Sequence, residues 1–302
     1  MNIVIVGSGA MGLLFHSQLS TAHNVSLCTR TENQKGNEIS VTALDGSVQK
    51  HTYINTQKAD IERADCIIFC VKCFDIIAAI KHLLTNITAN SKIVIMHNGM
   101  GVVEEIVQQI NIKNPIYTLL TTQASRKTAA FEITHTGAGN SQLGLAINND
   151  SNEQQAILAN SLSNLIPNIT LTTTIKQQQW QKLAINCAIN ALTAINNVSN
   201  GDIAQQQFRE LLVQIIAEVI TVAKAENIYL DNNVILDSVL LVIEKTKNNS
   251  SSMREDVRNC RATEINYING YIKQLGQKYN IPTPVNSMLY QQIQALQQNY
   301  SN

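Results

Sequence analysis

Lys182, Asn186 and Asn190 stand four residues apart in the run WQKLAINCAIN, and the residues between them are apolar: Leu183, Ala184, Ile185, Cys187, Ala188 and Ile189. Four residues turn a helix by about 400°, so the three polar groups form one slowly drifting stripe roughly 12 Å long. The apolar surround predicts a buried helix, where an ammonium without a partner is costly. The stripe therefore either faces solvent, with Lys182 snorkelling outward, or lines a cleft. A cleft would suit carbonyl reduction. An ammonium places positive charge at a carbonyl oxygen and donates a proton there, with burial lowering its pKa toward neutrality. Amides on the same face orient a small polar substrate without adding charge.

A lysine in a cleft calls for an acid, and the stretch SSSMREDVRNCRATEINYING carries the best candidate, Glu264. Within that stretch, Ser252 and Glu255 have the spacing of a capping box, so a helix is expected to start after Ser252. Its amino end would suit a substrate carboxylate. In one continuous helix Ser252 and Glu264 would lie roughly 18 Å apart, too far to share a small ligand. A common site requires a break, and residues 259–263 are the place for it.

The second constellation is Gly7, Ser8, Gly9, Ala10, Met11 and Gly12, a GxGxxG that directly follows NIVIV and precedes a helical run. In that context the glycines allow the tight turn, the close approach of backbone to a pyrophosphate, and helix–strand packing; the helix amino end favours the anion. About 20 residues on, an NAD site usually carries an acid at the end of the second strand. Here Arg30 stands at that place, in SLCTRTE, and a guanidinium pairs with a 2′-phosphate, which points to NADP(H); Glu32, nearby, could still reach a ribose hydroxyl. Lys72 ends the third strand near the same crevice. Asn98, in MHNGMG, ends the fourth, and Gly99 and Gly101 leave room for backbone beside a cofactor. His97 reads as a packed strand residue.

The elements that must position these groups alternate in the first half. Strands are expected at 2–6, 25–30, 66–71, 92–97 and 116–122, with helices at 11–19, 75–84 and 102–109, a pattern that predicts a mostly parallel sheet with helices on its faces. Residues 131–135 and 141–145, around TGAGN, read as a hairpin closing the sheet antiparallel. From 175 onward apolar residues recur at helical spacing, and breaks fall at 247–252 and 281–284. The fold expected is an α/β Rossmann-type domain over 1–172 followed by an all-α domain over 173–302.

The 302 residues balance 22 basic against 22 acidic side chains, so no basic excess points to nucleic acid or an anionic membrane. No targeting segment or transmembrane span is expected. Six scattered cysteines, four of them in apolar runs, suit reduced thiols and a cytoplasmic location. The CxxC at Cys70 and Cys73 lacks a second pair, so no metal site is expected. The long helices could hold a homodimer face, although their apolar stripes are equally explained by packing within the domain.

Over essentially its whole length the chain resembles the ketopantoate reductase (2-dehydropantoate 2-reductase) family, through GSGAMG, HNGMG, WQKLAINCAINALTAINN and SSMREDVRNCRATEINYING. The resemblance implies a Rossmann domain and a helical domain with the site in the cleft, and NADPH-dependent reduction of 2-dehydropantoate to pantoate on the route to pantothenate and coenzyme A. It implies Lys182 as the catalytic lysine and Glu264 as its acidic partner. Asn98, Asn186, Asn190, Asn200 and Ser252 match substrate-contacting positions, and Arg30 the cofactor arginine. Two departures stand out: Asn266 where the family often has Asp, and Arg254 where it is usually apolar. The residues taken alone also fit another Lys–Asn dehydrogenase of 2-keto or β-hydroxy acids, or a non-catalytic NADP(H) sensor.

Overall fold

The computed structural model describes residues 1–30, 37–163 and 165–301. The chain divides into two compact units: Met1–His97 with Val102–Ile175, and Asn98–Gly101 with Lys176–Asn302.

In the first unit the strands are β1 (Asn2–Val6), β2 (Asn24–Cys28), β3 (Glu38–Thr42), β4 (Val48–Thr52), β5 (Ile54–Asn55), β6 (Cys66–Phe69), β7 (Lys92–Ile95), β8 (Ile116–Thr121), β9 (Ala124–Ala129), β10 (Glu132–Gly137), β11 (Ser141–Ile147) and β12 (Ile169–Leu171). The helices are α1 (Ala10–Leu19), α2 (Lys58–Glu62), α3 (Cys73–Leu83), α4 (Val102–Gln109) and α5 (Asn152–Ser163). Eight strands form the main sheet in the order β12-β11-β8-β7-β6-β1-β2-β5. All neighbouring pairs are parallel except β8 with β11. The continuous apolar runs explain this arrangement. Ile3, Val4 and Ile5, like Ile67, Ile68 and Phe69, are buried on both faces of the sheet, as parallel strands under crossover helices require.

The expected hairpin does not form. β11 does close the sheet antiparallel to β8, but β10 leaves it for a second sheet ordered β4-β3-β10-β9, where it runs parallel to β3 and antiparallel to β9. The glycine-bearing stretch is a crossing between sheets. Gly139 lies so close to the backbone of Thr122 and Gln123 that a Cβ would collide with it. The second sheet is faint in the sequence because β4 and β9 are largely exposed and polar; only Ile39 and Val41 of β3 and Ile133 of β10 bury apolar side chains at strand spacing.

The second unit is helical: α6 (Ile175–Asn196), α7 (Gln206–Ala225), α8 (Asn232–Lys245), α9 (Ser252–Arg258), α10 (Asn269–Tyr279) and α11 (Pro284–Gln298), with short 3-10 turns at Gly201–Ala204, Ile265–Tyr267 and Asn299–Ser301. Its core is built on the small-residue face of α6, where Ala184, Cys187, Ala188 and Ala191 admit the neighbouring helices closely. Trp180 packs on Tyr271 of α10 with ring centroids 6.0 Å apart. Carboxylates hold two of the helix starts. Asp231 caps α8 by accepting from the N–H groups of Asn233 and Val234. Glu218 of α7 accepts from the N–H groups of Val285 and Asn286 at 2.8 and 2.9 Å, holding the first turn of α11.

Candidate active site

In the first unit, the turn between β1 and α1 is shaped by glycine. Gly7 has φ +114°, and a Cβ there would stand 2.8 Å from Cγ1 of Val71; one on Gly12 would strike the carbonyl oxygen of Gly7. At Gly9 the nearest atom to an added Cβ is 3.8 Å away, which leaves space over the turn. Gly9 caps α1 without a side chain, and no acidic residue lies in the first turn. The N–H groups there are thus presented without a side-chain anion, the condition for binding a phosphate.

β1 lies between β2 and β6, the point where the chain reverses its direction of travel across the sheet, and open α/β sheets bind ligands at that point. Arg30 follows β2, and Lys72 follows β6 at the cap position of α3. Nη2 of Arg30 stands 2.6 Å from Oδ1 of Asp75 in the first turn of α3. Glu32 lies outside the described residues. Lys127 of β9 donates to the carbonyl oxygen of Ser8 at 2.9 Å; no sequence signal singled it out, because its strand shows no apolar alternation. These features fit a dinucleotide: a glycine turn that a side chain would fill, bare helix N–H groups, and two cations after the strands that flank β1.

His97 lies beyond the end of β7, with Nδ1 3.3 Å from Sγ of Cys73. It packs on the start of α3 and is not a strand residue. All six cysteines are free thiols, and burial pushes Cys66 up to about 12 and raises Cys70 as well. Among the described residues no cluster of His, Cys, Asp or Glu is arranged to hold a metal.

Asn98 belongs to the helical unit. Gly99 and Gly101 have φ +100° and +102°. A Cβ on Gly99 would run into the carbonyl oxygen of Tyr267, and one on Gly101 would meet the Tyr271 ring at 3.2 Å. The N–H of Met100 donates to the same Tyr267 oxygen at 2.8 Å. The two glycines let this loop lie directly on the segment that follows Glu264. Glu264 itself is 5% exposed, at the cap of the 3-10 turn.

On α6, Lys182 and Asn186 are half-buried and Asn190 is 6% exposed. The stripe runs on to Thr193, whose Oγ1 bonds Oγ of Ser251 at 2.7 Å. Ser251 caps α9 by accepting from the Arg254 N–H at 3.1 Å. The cap therefore falls one residue before the expected Ser252, which is the first helical residue, with an exposed side chain. Thr193 selects the middle serine of the three, a choice invisible to local spacing. Arg254 donates from Nε and Nη2 to Oδ1 and O of Asn197, each at 3.0 Å, so its departure from an apolar residue ties α9 to the end of α6. Asn266 is exposed, with Oδ1 accepting from Gln294 at 2.8 Å.

Asn200 reaches the same region from the following loop. Its N–H donates to the carbonyl oxygen of Asn249 at 3.0 Å and its Nδ2 to Oγ1 of Thr246 at 2.9 Å. The helix break is present: α9 ends at Arg258, Cys260 turns left-handed at φ +51°, and Arg261 folds back on Asp256 with Nε 3.2 Å from Oδ1. Three buried polar atoms along this stretch have no protein partner: Nδ2 of Asn186, Oδ1 of Asn200 and Oγ of Ser250. Buried polar groups are ordinarily paired. The open Nδ2 of Asn186, one helical turn from Lys182, suits an acceptor oxygen of a small ligand.

Residues 3–148 match the family model described as "Ketopantoate reductase PanE/ApbA", and residues 174–297 match the model of the C-terminal part of that family. A 2-dehydropantoate 2-reductase of Vibrio cholerae is 35% identical, the match covering 100% of this chain and 99% of that one. Among solved structures, D-mandelate dehydrogenase with NADH and anilino(oxo)acetate superposes with TM-score 0.91 at 23% identity, covering 100% of both chains. A dimeric ketopantoate reductase from Staphylococcus aureus gives TM-score 0.83 at 23% identity, covering 99% of each.

Proposed function

Because the chain belongs to the ketopantoate reductase family, we propose that it reduces 2-dehydropantoate to (R)-pantoate with NADPH, in the synthesis of pantothenate and coenzyme A. The observation that carries this reading is the half-buried Lys182 on the same helix stripe as the unpartnered amide of Asn186. NADPH, when bound, supplies a hydride to the ketone carbon. Gly7, Ser8, Gly9, Ala10, Met11 and Gly12, with the N–H groups of α1, hold its pyrophosphate. Arg30 and Lys72 hold the 2′-phosphate, and Asn98 contacts both cofactor and substrate.

Lys182 polarises the keto oxygen and donates the proton that completes the alcohol. Glu264 orients the Lys182 ammonium or a substrate hydroxyl. Asn186, Asn190, Asn200 and Ser252 hold the carboxylate and hydroxyl ends of the substrate. A carboxylate, a ketone and a hydroxyl on one short skeleton match donors and acceptors of this kind better than an apolar 2-keto acid does.

The test is NADPH oxidation with 2-dehydropantoate beside other 2-keto and β-hydroxy acids. The wild type should favour 2-dehydropantoate, and Lys182→Ala should lower kcat at least about a hundredfold while NADPH still binds. Cofactor binding with no turnover of any acid would reassign the chain as a sensor. Near-wild-type turnover by the variant would remove Lys182 from the chemistry.

No helix among the described residues is long and apolar enough to cross a membrane. The free thiols favour work in the cytoplasm. The exposed Val234 and Leu241, two turns apart on α8, favour a homodimer through that face, which sedimentation at micromolar concentration would test.

A further inference from the structure

Arg30 is already engaged by an anion before any nucleotide arrives. Its side chain is 73% exposed, yet Nη2 lies 2.6 Å from Oδ1 of Asp75, which is 27% exposed. Asp75 sits in the first turn of α3, whose amino end favours negative charge, and Lys72 caps the same helix. Two cations and one carboxylate thus follow β2 and β6, the strands on either side of β1. An exposed ion pair of this kind contributes little to folding stability.

We propose that Asp75 sets cofactor preference, holding the chain's discrimination for a 2′-phosphorylated nucleotide below what Arg30 and Lys72 would give without it. This rests on the reading of Arg30 as the 2′-phosphate residue. A phosphate arriving at Arg30 must share the guanidinium with the carboxylate or displace it, and in either case it meets a full negative charge nearby. A plain ribose carries a neutral hydroxyl there and meets no such opposition. The carboxylate therefore acts on one ligand and spares the other, which makes it a determinant of specificity more than of affinity. If Asp75 served only to orient Arg30, its removal would have the opposite sign, because a loosened guanidinium would bind phosphate less well.

Titration calorimetry with adenosine 2′,5′-bisphosphate and adenosine 5′-monophosphate separates these cases, since the two probes differ only in the 2′-phosphate. Asp75→Asn should tighten the bisphosphate about fivefold, leave the monophosphate unchanged, and lose most of that gain in high salt. Asp75→Glu, which keeps the charge, should stay near wild type. An unchanged or weakened bisphosphate affinity in Asp75→Asn overturns the proposal. Arg30→Ala run in parallel separates the two levels. If it leaves the bisphosphate preference intact, the reading of Arg30 fails and the Asp75 proposal falls with it. If it abolishes the preference while Asp75→Asn does not shift it, only the Asp75 inference fails.

Discussion

Two asparagines of the same unit show what an amide can be for. Asn286 is fully buried and donates to Ile215 O and Glu218 Oε2, joining helices. Asn186 is half-buried, and its Nδ2 finds no acceptor in the protein. An unsatisfied buried donor costs roughly 1–3 kcal/mol, a cost that a binding role explains and a packing role does not. Asn186→Ala should therefore raise KM for the substrate at least about tenfold while leaving the melting temperature equal or higher. A lowered melting temperature with unchanged KM would make Asn186 a structural residue. The four-residue spacing marked this amide from the sequence. It could not mark Ser250 or Lys127, because neither stands at a telling interval from another polar group.

At the scale of elements, α6 and α9 are joined by two side-chain links. Thr193 meets Ser251 hydroxyl to hydroxyl, and Arg254 clasps the carbonyl and amide oxygens of Asn197. These links bring the amino end of α9 to the polar stripe. Thr193→Val keeps the shape but leaves the buried Ser251 hydroxyl short of a partner. The unit should lose about 1–2 kcal/mol by denaturant unfolding, and KM should rise more than kcat falls, since α9 carries proposed substrate contacts and not the proton donor. Loss of kcat alone would contradict this assignment of roles. The break at 259–263 was legible because a continuous helix would have set Ser252 and Glu264 too far apart. The fate of 131–137 was not: alternating apolar residues mark a strand without saying which sheet receives it.

At the scale of the molecule, the first unit buries a histidine that its proposed chemistry does not use. His16 on α1 is fully buried, neither ring nitrogen has a hydrogen-bond partner, and Tyr53 meets it edge-on with centroids 6.2 Å apart. Burial first, then the charge of His51, lowers its pKa from 6.5 to about 4. The native state therefore holds His16 neutral while the unfolded chain takes up a proton first. Stability is complete above about pH 6.5, falls as pH drops toward 4, and loses about 3 kcal/mol across that window. Thermal unfolding of wild type and His16→Phe between pH 7 and 4 checks this, in the same range; an identical pH slope in both would acquit His16. What the sequence determined alone was local in kind: the apolar runs of a parallel sheet, the glycine spacing of the turn between β1 and α1, the stripe of Lys182, Asn186 and Asn190, and a helical second half. Tertiary structure alone decided that Asn98–Gly101 belong with the helices, that Ser251 and not Ser252 caps α9, that Asp75 holds Arg30, and that β10 leaves the main sheet. The physical reason is range. Periodicity and turn chemistry are set by neighbours a few residues away, whereas Ser251 meets its partner 58 residues off, and such a contact acquires its energy only when the chain has closed around it.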